Sequence, residues 1–257
     1  FKENPKWFSE KFVRWYNFMI PRILRKSKHI FTVSEFSKSE IEKHFRIDSE
    51  KITVLLNGMP RLAESSQNTL PIVEGNYALS VGTLTARKNQ QQIINCFLAW
   101  ENCPIKLVLA GTFEDAIFGE NSSFKKQIES ASQIVLLENP SDKELVNLYQ
   151  HALFTIYMPK YEGFGLPILE SLTFKKPVIV SDIPVFRELF SGLVLFSTLN
   201  NNGNLRGLVE ELLETHTSWT EKFSKSGALV AKFSYEKAAN KLDEVIHQMK
   251  NTDYGKI

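Results

Sequence analysis

Short apolar runs alternate along most of the chain with stretches whose apolar residues recur every three or four positions. Residues 29–33, 51–56, 76–81, 105–110, 134–137, 153–157, 177–180 and 192–196 are dense in aliphatic, β-branched and aromatic side chains and read as buried strands. Helical spacing follows at 35–45, 89–100, 122–131, 141–150, from 166 toward Pro177, and at 204–214, 218–232 and 235–250. Ser34 stands where an N-cap belongs, and Ser141-Asp142-Lys143-Glu144 has the form of a capping box. Strand, helix and strand in repeated succession predict an α/β chain with parallel strands joined by crossovers. Residues 58–75, GMPRLAESSQNTLPIVEG, interrupt this rhythm with the Pro, Ser, Asn and Gly of a connection between domains. The closing NTDYGKI carries no pattern.

Residues 153–188 hold the most chemistry. The strand at 153–157 feeds a loop containing Gly163 and Gly165, and a helix opens near Leu166 with Pro167 in its first turn, where a missing N–H is no loss. Ile168, Leu169, Leu172 and Thr173 form its expected buried face. The loop lies at the carboxyl end of a strand, the edge at which open parallel sheets bind ligands. Its glycines permit close backbone approach, and the helix start suits an anion, most naturally a phosphate. Glu162 precedes the helix and Glu170 lies about one turn inside it. Carboxylates accept hydrogen bonds from hydroxyls, two from a vicinal diol, so the pair points to a ligand with both phosphate and sugar hydroxyls. The plain alternative is two solvated charges at a helix start. A second strand-to-helix loop, Gly82-Thr83-Leu84-Thr85-Ala86-Arg87-Lys88-Asn89, sets a guanidinium beside an ammonium, as a diphosphate requires; in isolation such a pair is ordinary solvated surface.

Composition narrows the class. The 257 residues are 43% hydrophobic and 23% charged, an ordinary globular balance sufficient for one large domain or two smaller ones. A net charge of +2 makes no global case for nucleic acid. Cys96 and Cys103 form no ligand cluster with the five scattered histidines, so neither a disulfide framework nor a metal site is expected. No apolar run is long enough for a bilayer and no leader is evident, which predicts a cytoplasmic protein; the absence of an initial Met suits a fragment. Residues 1–28 differ from the rest: eight basic and two acidic residues leave the remainder at −4. Trp7, Phe8, Phe12, Trp15, Tyr16, Met19 and Ile23 recur there at helical spacing. This stripe reads first as a face packed on a domain core, with peripheral contact at the inner face of a membrane as the alternative.

The run YEGFGLPILES…KKPVIVSDIPVFREL resembles the donor-site signature of the retaining glycosyltransferases of family 4, in which two glutamates are separated by seven residues, here Glu162 and Glu170. Two positions depart from the family pattern. Lys175 stands where Gly is usual, which loses a favoured helix-ending residue and costs stability rather than chemistry. Met158-Pro159-Lys160 replaces a usual Pro-Ser. FTVSEFSKSEI…EKITVLLNG resembles the last βαβ unit of the family's acceptor domain, VGTLTARKN its first donor-domain loop, and FSYEKAANKLDEVI its terminal helix.

The resemblance implies a GT-B type α/β fold. Residues 1–60 would be the end of a Rossmann-like acceptor-binding domain, 61–75 the linker, 76–232 a Rossmann-like donor domain with a parallel sheet, and 233–257 a helix crossing back toward the first domain. It implies transfer of a sugar from a UDP- or GDP-sugar to a glycan or lipid-linked acceptor, with retention of configuration, in polysaccharide or lipopolysaccharide biosynthesis. No metal or other cofactor is implied. Arg87 and Lys88 would neutralise the leaving diphosphate together with the helix start at Gly165. Glu162 would hold sugar hydroxyls and Glu170 the ribose diol, with Gly82, Thr83, Gly163, Phe164 and Leu166 completing the donor-binding set. Residues 138–140 would lie near the base. Residues 1–57 are short for a whole acceptor domain, and His29 and His44 do not match its usual histidine, so a non-catalytic nucleotide-sugar-binding module is the alternative. An epimerase of the same fold, or a glycoside hydrolase using the two carboxylates, would be other classes.

Overall fold

The computed structural model describes residues 1–60, 70–112, 126, 128–224 and 227–254. Its packing divides the chain into two units, Phe1–Met59 with Ala228–Ile257, and Pro60–Gly227.

The first unit begins with a 3-10 turn at Pro5–Trp7 and α1 (Glu10–Lys26), whose start is capped by Ser9 Oγ accepting from Phe12 N at 3.3 Å. β1 (Ile30–Thr32), α2 (Glu35–Phe45) and β2 (Ile52–Val54) follow, and the two strands pair in parallel with Ile30 opposite Ile52. Ser34 caps α2 as the sequence predicts, its Oγ accepting from Ser37 N at 3.0 Å. Of the expected aromatic stripe, Trp7, Phe8, Phe12, Tyr16 and Met19 are half-buried, with the Tyr16 ring edge-on to Phe1 and stacked on Phe12, whereas Trp15 and Ile23 are exposed.

The second unit is built on a six-stranded, all-parallel sheet. Its strands are β3 (Tyr77–Val81), β4 (Lys106–Gly111), β5 (Ile134–Glu138), β6 (Phe154–Tyr157), β7 (Val178–Ser181) and β8 (Leu195–Ser197). They lie in the order β5-β4-β3-β6-β7-β8. The chain moves outward from β3 to β5, returns to the other side of β3 at β6, and moves outward again to β8. Strand order therefore reverses between β3 and β6. Loops leaving those two strands diverge, and such a switch point is where open α/β sheets hold ligands.

Helices α3 (Gln90–Leu98), α4 (Asp142–His151), α5 (Leu166–Thr173), α6 (Pro184–Phe190) and α7 (Asn202–Ser224) accompany the sheet. Ile93, Ile94 and Phe97 of α3 and Leu205, Val209 and Leu212 of α7 form one core layer with Leu107, Leu109 and Ile156. A second layer joins Leu148 and Tyr149 of α4 to Tyr77, Leu79 and Val108. With both faces covered, the central strands are buried at nearly every position rather than at alternate ones, and they are mostly apolar, with Ser80, Thr155 and Ser181 as buried exceptions.

Several boundaries differ from the sequence reading. α6 was not expected; it starts on Pro184 and buries Val185, Phe186, Leu189 and Phe190 in only seven residues. The final strand lies later than 192–196, at Leu195–Ser197. The two helices expected at 204–214 and 218–232 meet at Thr215, where the backbone of α7 leaves helical geometry and Oγ1 donates to Glu211 O at 2.6 Å; the second of them ends at Ser224, earlier than expected. Residues 225–226 of that range, most of the helix expected over 122–131, residues 61–69 of the connection and 255–257 lie outside the described residues. Residues 70–72 are anchored by Asn147, whose Nδ2 donates to Leu70 O at 2.8 Å and whose Oδ1 accepts from Ile72 N at 3.1 Å.

A short helix α8 (Gly227–Val230) precedes α9 (Tyr235–Tyr254), which packs with residues 1–59. Met59 N donates to Phe233 O at 3.1 Å, and a Cβ on Gly58 would fall 2.4 Å from the Tyr235 ring, so only glycine fits there. Among the described residues, no helix is long and apolar enough to cross a membrane.

Candidate functional site

The two loops singled out in the sequence leave β3 and β6, the strands flanking the switch point. They are stitched together by backbone: Lys160 N donates to Arg87 O at 2.9 Å, and Arg87 Nη1 to Tyr161 O at 3.3 Å. Ser181, fully buried at the end of β7, holds the second loop from below through Oγ to Pro159 O at 2.6 Å. Glycines are required where backbone meets backbone or ring. A Cβ on Gly111 would lie 2.3 Å from Gly82 O, which brings the ends of β3 and β4 into contact. Gly165, the N-cap of α5, has φ 113, and a Cβ there would lie 2.8 Å from the Phe186 ring. With no side-chain cap, the start of α5 presents backbone alone.

The remaining predicted positions distribute around these loops. Thr83 O accepts from Gln90 Nε2 at 3.2 Å, while Gln90 Oε1 is buried without a partner. Phe164 is buried with its ring edge-to-face on Phe190, Gly163 is half-buried, and Leu166 is exposed. A cavity of about 210 Å³, lined by Leu84, Thr85, Ala86, Asn89, Gln90, Gln91 and Lys160, adjoins the Arg87–Lys88 turn but not the glutamates. At the neighbouring strand ends, Thr112 Oγ1 donates to Asn139 Oδ1 at 2.8 Å.

Arg87, Lys88 and Glu162 form one cluster. Arg87 Nη1 donates to Glu162 Oε2 at 2.5 Å, and Lys88 Nζ to Glu162 Oε1 at 2.8 Å. Tyr157, the last residue of β6, joins them: its hydroxyl accepts from Lys88 Nζ at 2.5 Å and donates to Glu162 Oε1 at 3.0 Å. The Glu162 side chain is only 14% exposed. Burial pushes its carboxyl up, but Lys88, then Arg87 and the Tyr157 hydrogen bond, outweigh burial and hold it below the usual carboxylate range. Burial pulls the Lys88 ammonium down, and Arg87 adds to this, against the opposing pull of Glu162. The carboxylate thus gains more from the cluster than the ammonium does, because two cations serve one anion.

Glu170 lies one turn into α5, and the hydroxyl of Tyr149, a fully buried residue of α4, donates to its Oε2 at 2.6 Å. Burial raises the Glu170 carboxyl above its usual range, and the Tyr149 bond and the more distant Lys88 only partly offset this. Tyr149 and Tyr157, both with hydroxyls held far above their ordinary range by burial, are the residues that sequence reasoning missed. Each occupies an apolar position of its element and reads as core; the only sequence signal is a tyrosine at the carboxyl edge in the case of Tyr157. Elsewhere among the described residues, Glu3, Glu40 and His44 bring three ligand-type atoms within 4.8 Å, but Lys43 Nζ already lies 2.9 Å from Glu3 and 3.4 Å from Glu40.

Known proteins share this architecture. Over 235 residues the chain is 26% identical to the O-antigen chain mannosyltransferase RfbU of Salmonella typhimurium, covering 91% of this chain and 64% of the relative. It is 28% identical over 249 residues to the O-antigen chain mannosyltransferase B of Escherichia coli, with coverage of 90% and 64%. The chain thus spans 64% of the length of both relatives. The structure of Anabaena Alr3699/HepE in complex with UDP and glucose superposes with a TM-score of 0.77 at 16% identity, covering 95% of this chain and 69% of that one. Such structural neighbours give the fold, that of the GT-B glycosyltransferases. Residues 63–223, most of the unit that carries the two loops, match the family profile for glycosyl transferases group 1, and the chain belongs to that family.

Proposed function

We propose that the protein moves a sugar, most naturally mannose, from a nucleotide-diphosphate donor, UDP- or GDP-linked, to a glycan or lipid-linked acceptor with retention of configuration. The proposed setting is O-antigen or related lipopolysaccharide assembly at the cytoplasmic face. The observation that carries this reading is the Glu162 carboxylate gripping both Arg87 and Lys88 at the switch point, beside the start of α5. Arg87 and Lys88 together carry two positive charges, matching the two negative charges of a nucleotide-sugar diphosphate that would take them over from Glu162. The names of the two mannosyltransferases and the UDP and glucose bound to the Anabaena protein support the choice of donor class.

On donor entry the phosphates take over Arg87 and Lys88, and Glu162 is released toward the sugar hydroxyls. Glu170, oriented by Tyr149, accepts from the ribose diol. The acceptor hydroxyl attacks the anomeric carbon from the face of the leaving phosphate, the carbon–phosphate oxygen bond breaks, and a phosphate oxygen takes the acceptor's proton. Arg87, Lys88 and the start of α5 stabilise the charge that grows on the diphosphate, the type of interaction that contributes most to rate. Glu162 and Glu170 position rather than transfer protons. Arg87 and Lys88 supply the countercharge in this reading, so chelation with EDTA should leave turnover unchanged.

The test is turnover by the full-length protein with UDP- and GDP-linked mannose and glucose, with and without a lipid-linked acceptor, followed by NMR of the anomeric signal. One donor should be consumed only when acceptor is present, giving a product with the donor's configuration. Consumption without acceptor would overturn transfer in favour of hydrolysis or epimerisation, and an inverted product would overturn retention.

A further inference from the structure

The cavity of about 210 Å³ beside the Arg87–Lys88 turn has no part in the donor contacts described above. Leu84, Thr85 and Ala86 line it from the loop after β3, Gln90 and Gln91 from the first turn of α3, and Lys160 from the loop after β6. Lys160 N donates to Arg87 O at 2.9 Å, which ties the two loops together at this place. Gln90 is 3% exposed. Its Nε2 donates to Thr83 O at 3.2 Å, and its Oε1 is buried with no partner. An acceptor left unpaired in the interior costs stability, and few native side chains are left so.

The lining defines the ligand by what it needs. A carbonyl oxygen without a partner calls for a hydroxyl or an amide donor; phosphate and carboxylate bring acceptors only and would leave it unsatisfied. Among the described residues Lys160 is the one charged residue of the lining, so neither a cation nor a diphosphate is balanced there. Leu84 and Ala86 offer apolar contact between the amides of Gln90 and Gln91 and the hydroxyl of Thr85. A pyranose ring presents the matching mixture, hydroxyls on its rim and C–H groups on its faces. The volume lies below the ~300–1,000 Å³ of pockets for whole drug-sized ligands, so one ring fits and a nucleotide-sugar does not.

We propose that this cavity holds one neutral sugar ring of the acceptor glycan. The inference rests on the proposed function and deepens it. In that reading the acceptor hydroxyl attacks from the side of the leaving phosphate, so the acceptor ring must lie against the diphosphate that Arg87 and Lys88 hold. The cavity adjoins those two residues, whereas neither Glu162 nor Glu170 lines it. Gln90 then sets specificity: its oxygen accepts from one acceptor hydroxyl, and a ring without that hydroxyl leaves the oxygen unpaired.

The test is saturation-transfer NMR on the full-length protein, saturated with whichever of UDP and GDP binds it. The probes are the methyl glycosides of mannose, glucose, galactose, rhamnose and N-acetylglucosamine. At least one should bind, and excess inorganic phosphate should not displace it. Gln91→Trp, which fills the cavity from an exposed helix position, should weaken that binding at least about tenfold, with nucleotide affinity by calorimetry within about threefold of the parent. Gln90→Met should weaken it by about tenfold, the scale of one hydrogen bond. A parent that binds nucleotide but no glycoside, displacement by phosphate, or undiminished glycoside binding by folded Gln91→Trp would overturn this inference and leave the donor reading standing. A parent that binds neither UDP nor GDP would overturn the donor reading and the acceptor role with it.

Discussion

Glu162 and Glu170 belong to one loop and helix on one sheet edge, and each accepts a hydrogen bond from a buried tyrosine. Their electrostatic surroundings are opposite. Glu162 is clamped between Arg87 and Lys88 and held below the usual carboxylate range, whereas Glu170 has a neutral hydroxyl as its close partner and is pushed above it. Under the proposed function, a donor's phosphates compete with the first glutamate for the same two cations. The second is a desolvated acceptor that gains by meeting hydroxyl donors. One motif thus builds two kinds of carboxylate, and the difference comes from β3, β6 and α4 rather than from the motif itself.

The largest effect should follow removal of a cation. Lys88→Met is expected to lower transfer by about a thousandfold in the full-length enzyme, the scale for losing one preorganised charge at a developing anion. A drop confined to KM would instead make Lys88 a contributor to uniform binding.

Stability should separate the glutamates by sign. Glu162→Gln leaves a buried ammonium short of its counter-charge and should cost about 2 kcal/mol, or about 4–8 °C in Tm at pH 7. Because the Glu162 carboxyl is held below its ordinary 4.5, its contribution is present above pH 4.5 and lost as pH falls further, so this deficit should shrink there. The Glu170 carboxyl is raised, so its favourable contribution is full below pH 4.5 and is lost as pH rises through the raised value. Glu170→Gln should therefore raise Tm at pH 7, and the gain should vanish as pH falls to 4.5. Thermal melts of both variants between pH 4 and pH 8 check this, and shifts of the same sign would break the comparison.

The tyrosines sharpen it further. Tyr149→Phe removes a hydrogen bond that orients Glu170 and should weaken nucleotide affinity by about tenfold by calorimetry. Tyr157→Phe acts on Lys88 and Glu162 and should lower kcat while leaving that affinity within about threefold. The smallest effect belongs to Lys175, where α5 ends in a Schellman turn. Lys176 N donates to Ser171 O at 3.0 Å and Lys175 N to Leu172 O at 3.0 Å, with Lys175 itself at φ 56. Lys175→Gly should raise stability by about 1 kcal/mol, with nucleotide affinity unchanged.

What the sequence revealed and what it withheld divide along physical lines. Alternation of buried runs with helical spacing announces a parallel sheet, because crossovers leave few other solutions. The spacing of Glu162 and Glu170 and the adjacency of Arg87 and Lys88 are local and can be read directly. The reversal between β3 and β6 is not local, and only strand pairing brings the two loops together. Tyr149 acts on Glu170 across 21 positions while occupying a core-type place on α4, so periodicity assigns it to packing. α6 escaped because a seven-residue helix opening on Pro184 looks like a turn after a strand. For α1, helical aromatic spacing is the same whether a residue is covered or open, so only tertiary packing separates half-buried Phe12 and Tyr16 from exposed Trp15.

The central claim is that Glu162 and Glu170 face different parts of one nucleotide-sugar. Calorimetric titration of UDP and GDP into the parent, Glu162→Gln and Glu170→Ala tests it most directly. One nucleotide should bind the parent and bind Glu162→Gln at least as tightly, since its phosphates no longer compete with a carboxylate for Arg87 and Lys88. Glu170→Ala should lose about a hundredfold in affinity with the ribose contacts. Equal losses in both variants, or no binding of either nucleotide by the folded parent, would contradict the account.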